Sequence, residues 1–328
     1  MKNSVAPPIA RGGEEPGSLL EELGEDLVRG GRSAVIAQGP WRLAWNRLRR
    51  DRVAMASALV IILIMLMAIL APLIAAITGH GPQEQFRETG LTIGGLPVGP
   101  GREFWLGTDN LGRDLLVRIA YGARTSLVVG ILSTTLASLL GVLIGVIAGY
   151  FGGVVDSILA RAMDVVLSFP YLLAAIALVA IVGPSLEVTV IVIAFFAFAS
   201  VGRIVRGQTL SLKSREFVEA SRSVGSGRWR TMFVDILPNL IAPVLIYATL
   251  LIPVAIIFAA SLEFLGLGVP PPTATWGGML SNSVRYYQFA WWFVVFPGVA
   301  LLLTTVAFNL FGDGVRDALA PEIQSRRN

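Results

Sequence analysis

Residues 125–150 read TSLVVGILSTTLASLLGVLIGVIAGY, a run without one charged side chain. A helix rises about 1.5 Å per residue, so about 20 residues cross a hydrocarbon layer about 30 Å thick. This run exceeds that length. Backbone N–H and C=O groups in lipid must pair within their own segment, which makes a helix the reading rather than a strand. Five more apolar blocks share the pattern: 53–78, 162–182, 188–205, 240–262 and 291–311. Block 188–205 is the weakest, being short. Arg161 and Asp164 put the membrane part of the third block late in its run. Composition agrees: 54% of residues are hydrophobic and 15% charged, against about 25% charged in soluble domains. Mean hydropathy is +0.70. The expectation is an all-α integral membrane protein with six transmembrane helices in a domain over 41–322. Residues 1–40 and 323–328 read as tails.

The first block is no signal peptide, whose apolar run is about 7–15 residues long. An uncleaved anchor is expected. In residues 1–40, acidic side chains surround Leu19, Leu20, Leu23 and Leu27. Disorder and a docked helix both fit that stretch.

Basic residues mark the cytoplasmic side of a membrane protein. Arg42, Arg47, Arg49, Arg50 and Arg52 precede the first block, and Arg203 to Arg230 frame the segment 207–239. Arg316, Arg326 and Arg327 follow the last block. Six crossings put both termini and segment 207–239 on one side, which the charges make cytoplasmic. Arg87, Arg102, Arg113 and Arg118 lie in the opposite loop, so the rule holds by majority. Topology accounts for the net charge of +4, which leaves no case for nucleic acid as a partner.

No cysteine is present, so disulfides and thiolate metal sites are excluded. The one histidine, His80, reads as a solvated loop residue and rules out a His dyad or His-cluster metal centre. No catalytic residue and no metal ligand is expected. The chain lacks G-x-x-x-x-G-K-[ST], so it has no phosphate-cradling loop. Asp156, Asp164, Glu187 and Glu263 all fall near block ends. A proton- or voltage-coupled carrier places such groups inside the membrane.

Segment 207–239 reads GQTLSLKSREFVEASRSVGSGRWRTMFVDILPN, a polar interruption between two apolar blocks. Ser214 is placed to cap a short helix with Glu216 in its first turn. Phe217, Ala220, Ser221 and Val224 then share one narrow face with small residues at its middle. Arg215, Glu219 and Arg222 are spaced to pair on the other side. Gly225 and Gly227 supply the positive φ that ends the helix, and Leu237-Pro238 opens the next block. An ordinary interfacial helix shares this pattern. A helix that docks onto a partner shares it as well.

Those residues resemble the loop of permease subunits of binding-protein-dependent ABC importers. The family's pattern is Glu-Ala-Ala, three residues, Gly, nine residues, Ile, one residue, Leu-Pro. Here Glu219-Ala220-Ser221, Gly225 and Leu237-Pro238 match. Ser221 replaces the second Ala, a change small enough for docking to survive. Asp235 replaces Ile and is expected to lose an apolar contact. The resemblance covers roughly residues 45–322. It includes Gly107-Thr108-Asp109-Asn110-Leu111-Gly112-Arg113-Asp114, Ser168-Phe169-Pro170, Leu262-Glu263-Phe264-Leu265-Gly266-Leu267-Gly268, Trp276-Gly277 and Gly312-Asp313-Gly314-Val315-Arg316-Asp317. Together they are similar to the C-type permease subunit of dipeptide/oligopeptide importers, whose relatives also carry nickel, glutathione, opines or oligosaccharides.

The resemblance implies a type I importer permease fold in the inner membrane. It implies a heterodimer with a sister permease, two ATPase subunits holding ATP and Mg, and an extracytoplasmic binding protein. No cofactor is expected on this chain. Phe217, Glu219, Ala220, Ser221, Val224, Gly225, Leu237 and Pro238 would carry coupling to the ATPase. Pro243 and Pro253 interrupt the fifth block as a packing kink or a gate. Trp276 and Gly277 belong to an outer scaffold or to a binding-protein contact. Gly141, Gly145 and Gly149 form a close-packing stripe for a helix partner, in this chain or a second permease. Thr108 or Asp109 is placed to cap an outer helix through Arg118. An ATP-independent channel or carrier is the remaining alternative.

Overall fold

In the computed structural model, residues 40–319 are described. The readings of 1–39 and 320–328 fall outside them. The chain divides into two units, Met1–Leu43 and Ala44–Asn328. The described residues are helical, with only isolated bridges in the loops. Helix α1 (Pro40–Leu48) precedes α2 (Arg52–Ile69) and α3 (Ala71–Thr78). Then come α4 (Leu115–Phe151), α5 (Gly153–Ser168), α6 (Tyr171–Val182) and α7 (Leu186–Lys213). A short helix α8 (Glu216–Ser223) and one turn α9 (Arg228–Arg230) lead into a π-helical segment, Thr231–Ile236. The last three are α10 (Leu237–Phe264), α11 (Trp276–Ser283) and α12 (Trp291–Leu319).

Among the described residues, five helices are long and apolar enough to cross a membrane, or six if α5 and α6 count as one bent span. That pair is the main departure from the single span expected over 162–182. The two helices meet at 87°. Phe169 has the extended backbone (ψ 137°) that a following proline demands, so the helix stops before Pro170. The first block also breaks, at Leu70, because Pro72 cannot donate in the next turn.

The other blocks extend beyond their apolar runs because caps and packing set helix ends. Asp114 caps α4, which starts at Leu115, ten residues before the expected start, its Oδ1 accepting from Leu116 N (2.8 Å) and Val117 N (3.2 Å). This corrects the reading of Thr108 or Asp109 as the cap. Thr108 instead donates to Gly90 O (2.6 Å), and Asp109 pairs with Arg113 (2.7 Å) and Arg118 (3.2 Å). His80 is not solvated. Its side chain is 11% exposed, its Nδ1 lies 2.7 Å from Asp114 Oδ2, and its ring sits against Phe86 and Phe104. The expected weakest block, 188–205, is the inner part of the 28-residue α7.

The glycine stripe faces inside the chain. A Cβ at Gly141 would lie 2.6 Å from Val201 Cβ, and one at Gly145 would lie 2.6 Å from Gly202 O. One at Gly149 would lie 2.7 Å from Thr209 Cβ. α4 and α7 therefore approach along three turns where only glycine fits, and the stripe is not a surface for a second permease.

Candidate functional site

Segment 207–239 is shorter as a loop than its polarity suggests. Gly207 to Lys213 continue α7, and the change of direction begins at Ser214. Ser214 is the C-cap of α7, its hydroxyl donating to Ser211 O at 3.1 Å. The N-cap of α8 is Arg215, without a side-chain cap bond. Glu216 and Glu219 in the first turn and Arg222 in the last complement the helix dipole instead.

The C-terminus of α8 is a Schellman motif: Ser226 N donates to Ser221 O (3.1 Å) and Gly225 N to Arg222 O (2.9 Å). Gly225 has φ +90°, as expected of the residue after the C-cap. Gly227 does not share that role, having φ −67°.

Val218 anchors α8. It is fully buried among Val146, Val205, Met232, Ile236 and Leu240. Beside it, the Arg222 guanidinium carbon lies 5.2 Å from the Tyr150 ring centroid, and Lys213 Nζ lies 5.7 Å from it. The expected pairing of Arg215, Glu219 and Arg222 does not form, because Arg222 is turned onto that ring at the end of α4. Ser221 is half-buried on the same inward side, and its hydroxyl donates to Asp235 Oδ2 at 2.6 Å. Phe217, Glu219, Ala220, Val224 and Gly225 are exposed. Val224 is 89% exposed and Phe217 44%, leaving a bare apolar rim. The four-residue face read from spacing thus divides, with Phe217, Ala220 and Val224 outward and Ser221 inward. Nearby, Trp229 is 63% exposed and stacks on Phe233 with centroids 5.8 Å apart.

Leu237 and Pro238 open α10 as expected, one half-buried and the other exposed. The π-helical turn before them has a local cause. Pro238 lacks an N–H and its ring crowds the preceding turn, and a wider turn relieves that contact. Leu237 N accordingly donates five residues back to Met232 O, and Asn239 Nδ2 donates to Asp235 O at 2.7 Å. Asp235 does not cost the apolar contact expected. Met232, Ile236 and Leu240 supply that packing, all fully buried.

Two Arg–Asp pairs brace the spans above this site. Arg206 of α7 binds Asp156 of α5 through two bonds, one of them Nη2 to Oδ2 at 2.7 Å. Arg203 pairs with Asp164 further along. Sequence spacing cannot reveal such pairs, since the partners are about forty or fifty positions apart.

α10 stays helical through Pro243 and Pro253. Pro253 is buried, next to a cleft of about 430 Å³ lined by Ser133, Thr134, Tyr171, Phe196, Tyr247 and Val254. The hydroxyls of Ser133 and Thr134 are buried there without a hydrogen-bond partner among the described residues. Pro243 lines a separate small apolar pocket with Leu240 and Tyr247. Trp276 and Gly277 are both buried, so they present no surface to a binding protein. Trp276 Nε1 donates to Ile119 O (3.2 Å), and Gly277 N donates to Glu263 Oε2 (3.1 Å). A Cβ at Gly277 would meet Ala260 O at 2.5 Å. Both belong to the scaffold joining α4, α10 and α11. Among the described residues no group of three His, Asp or Glu side chains is placed to hold a metal ion.

Residues 141–325 match the family described as binding-protein-dependent transport system inner membrane component. Residues 39–89 match the N-terminal TM domain of oligopeptide transport permease C. The chain is 43% identical to the dipeptide transport system permease protein of Escherichia coli K12, over 89% of this chain and 96% of the relative. It is 41% identical to the di/tripeptide transport system permease protein of Pseudomonas aeruginosa, over 89% and 95%. It is 40% identical to a glutathione transport system permease protein of Shigella boydii, over 87% and 91%.

Proposed function

Because the chain belongs to the family of binding-protein-dependent transport system inner membrane components, we propose that it is the permease subunit of an ATP-driven importer of small peptides. It is a multi-pass inner-membrane protein and a non-catalytic transport subunit. The cargo reading rests on the di- and tripeptide permeases among its relatives; glutathione, itself a tripeptide, is the nearest variant. Two ATPase subunits supply the energy, a binding protein delivers the peptide, and a sister permease completes the pathway. The side bearing α8 faces the cytoplasm with both termini.

One observation carries this reading. α8 displays Phe217, Ala220 and Val224 outward while Val218 holds its other side in the core. A short helix fixed by one buried anchor moves with the spans beneath it and transmits a push from a docked subunit. Closure of the ATPase pair around ATP draws the two α8 helices of the permease pair together. The packed helices then rock as bodies and open the pathway. Phe217, Glu219, Ala220, Val224 and Gly225 are contacts in this scheme; Leu237 and Pro238 join the contact to α10. The cleft beside Pro253 is the place for the passage, since its hydroxyls and phenols offer hydrogen bonds without a fixed charge.

The chain contains no cysteine, which makes the test direct. Ala220→Cys in the assembled complex should cross-link to an ATPase subunit through a short bifunctional reagent. Lys2→Cys serves as a control far along the sequence. Absence of any Ala220 adduct in a complex that retains its ATPases would refute the docking face.

A further inference from the structure

The two positions where this chain departs from the family pattern touch each other. Ser221, in place of alanine, donates to the carboxylate of Asp235, in place of isoleucine, at 2.6 Å. The same serine oxygen lies 2.9 Å from Ser226 Oγ, just after the Schellman turn. Asp235 sits in the π-helical segment, and its backbone carbonyl is taken by Asn239 in the first turn of α10. Among the described residues no basic side chain lies within ion-pair distance of Asp235. The hydroxyl of Ser221 is therefore its side-chain donor. A hydrogen bond to an ionised group is roughly twice as strong as one between neutral groups.

We propose that Ser221 and Asp235 form a polar clasp that makes α8 and the foot of α10 one rigid lever. The packing of Val218 fixes the distance of α8 from the core, but an apolar contact is non-directional and allows the helix to roll. The clasp fixes that roll, so a push on the outward face turns α10 rather than α8 alone. Ser221 and Asp235 are thus positioning residues. They touch no ATPase subunit and act through the face that Phe217, Ala220 and Val224 present.

The proposal rests on the reading of α8 as the docking helix, and the test separates the two. The complete complex, with sister permease, ATPases and binding protein, is reconstituted in liposomes. Peptide taken up per ATP hydrolysed is measured with a labelled dipeptide. Ser221→Ala and Asp235→Ala should each lower that ratio at least about threefold, as expected for residues coupled by direct contact. ATPase co-purification should stay at the unmutated level, which a general structural defect would not permit. The double variant Ser221→Ala/Asp235→Ile should restore the ratio to within about twofold of the unmutated complex. Unchanged ratios in the single variants, or a double variant as poor as the worse single, would overturn the clasp. Failure of the unmutated chain to retain any ATPase would instead overturn the docking reading on which the clasp depends.

Discussion

Gly225 shows how one residue can separate folding from coupling. Its φ of +90° is the left-handed region, and no atom lies within 4 Å of where a Cβ would project. A side chain there strains the turn by about 1–3 kcal/mol without clashing. Gly225→Asp should therefore insert and assemble normally while peptide uptake falls at least tenfold, read as dipeptide accumulation in liposomes. Glu219→Lys should do the same by reversing charge at the positive end of the α8 dipole. Val218 is the contrasting case. Val218→Ala removes two buried methyl groups at about 0.8 kcal/mol each, near 1.6 kcal/mol in all. It should loosen α8 specifically, seen as faster hydrogen exchange over 216–226 with little change in the rest of the chain. Gly225 and the outward Phe217 and Val224 were legible from spacing. The inward turn of Ser221 was not, because Val218 wins the buried position and rotates the helix about it.

At the scale of elements, apolar length located the five long apolar helices and the bent pair but placed few of their ends. The start of α4 depends on the Asp114 cap and the end of α7 on the Ser214 cap, and neither leaves a hydropathy signal. The bend between α5 and α6 was present in the sequence as Phe169-Pro170, yet a continuous apolar run hid it. His80 was misread for a related reason. Its burial comes from Asp114, Phe86 and Phe104, which sequence distance conceals. The two Arg–Asp braces make a graded prediction. Both side chains of Arg203–Asp164 are more than half exposed, and such pairs contribute about 0–1 kcal/mol. Those of Arg206–Asp156 are 30% and 16% exposed and make two bonds. In thermal unfolding of the detergent-solubilised complex, Arg206→Ala should lower the midpoint clearly and Arg203→Ala only slightly.

For the whole molecule, α4 and α7 form the axis on which the rest is hung, and their contact tolerates no side chain at Gly145. Gly145→Val would press a branched side chain against Gly202 O and Val205. It should abolish accumulation of the chain in the membrane, measured by immunoblot of membrane fractions. The same rigid axis connects the α8 end to the lobe where His80, Asp114 and Trp276 are buried, so a push at one end can reach the other by tilting rather than bending. The measurement that bears most directly on the account is ATP-driven uptake of a labelled dipeptide by the reconstituted complex, unmutated and with Gly225→Asp. The account predicts accumulation against a gradient in the first, and in the second an assembled complex that hydrolyses ATP without uptake. Equal uptake by both, or uptake by the unmutated complex without ATP, would contradict it.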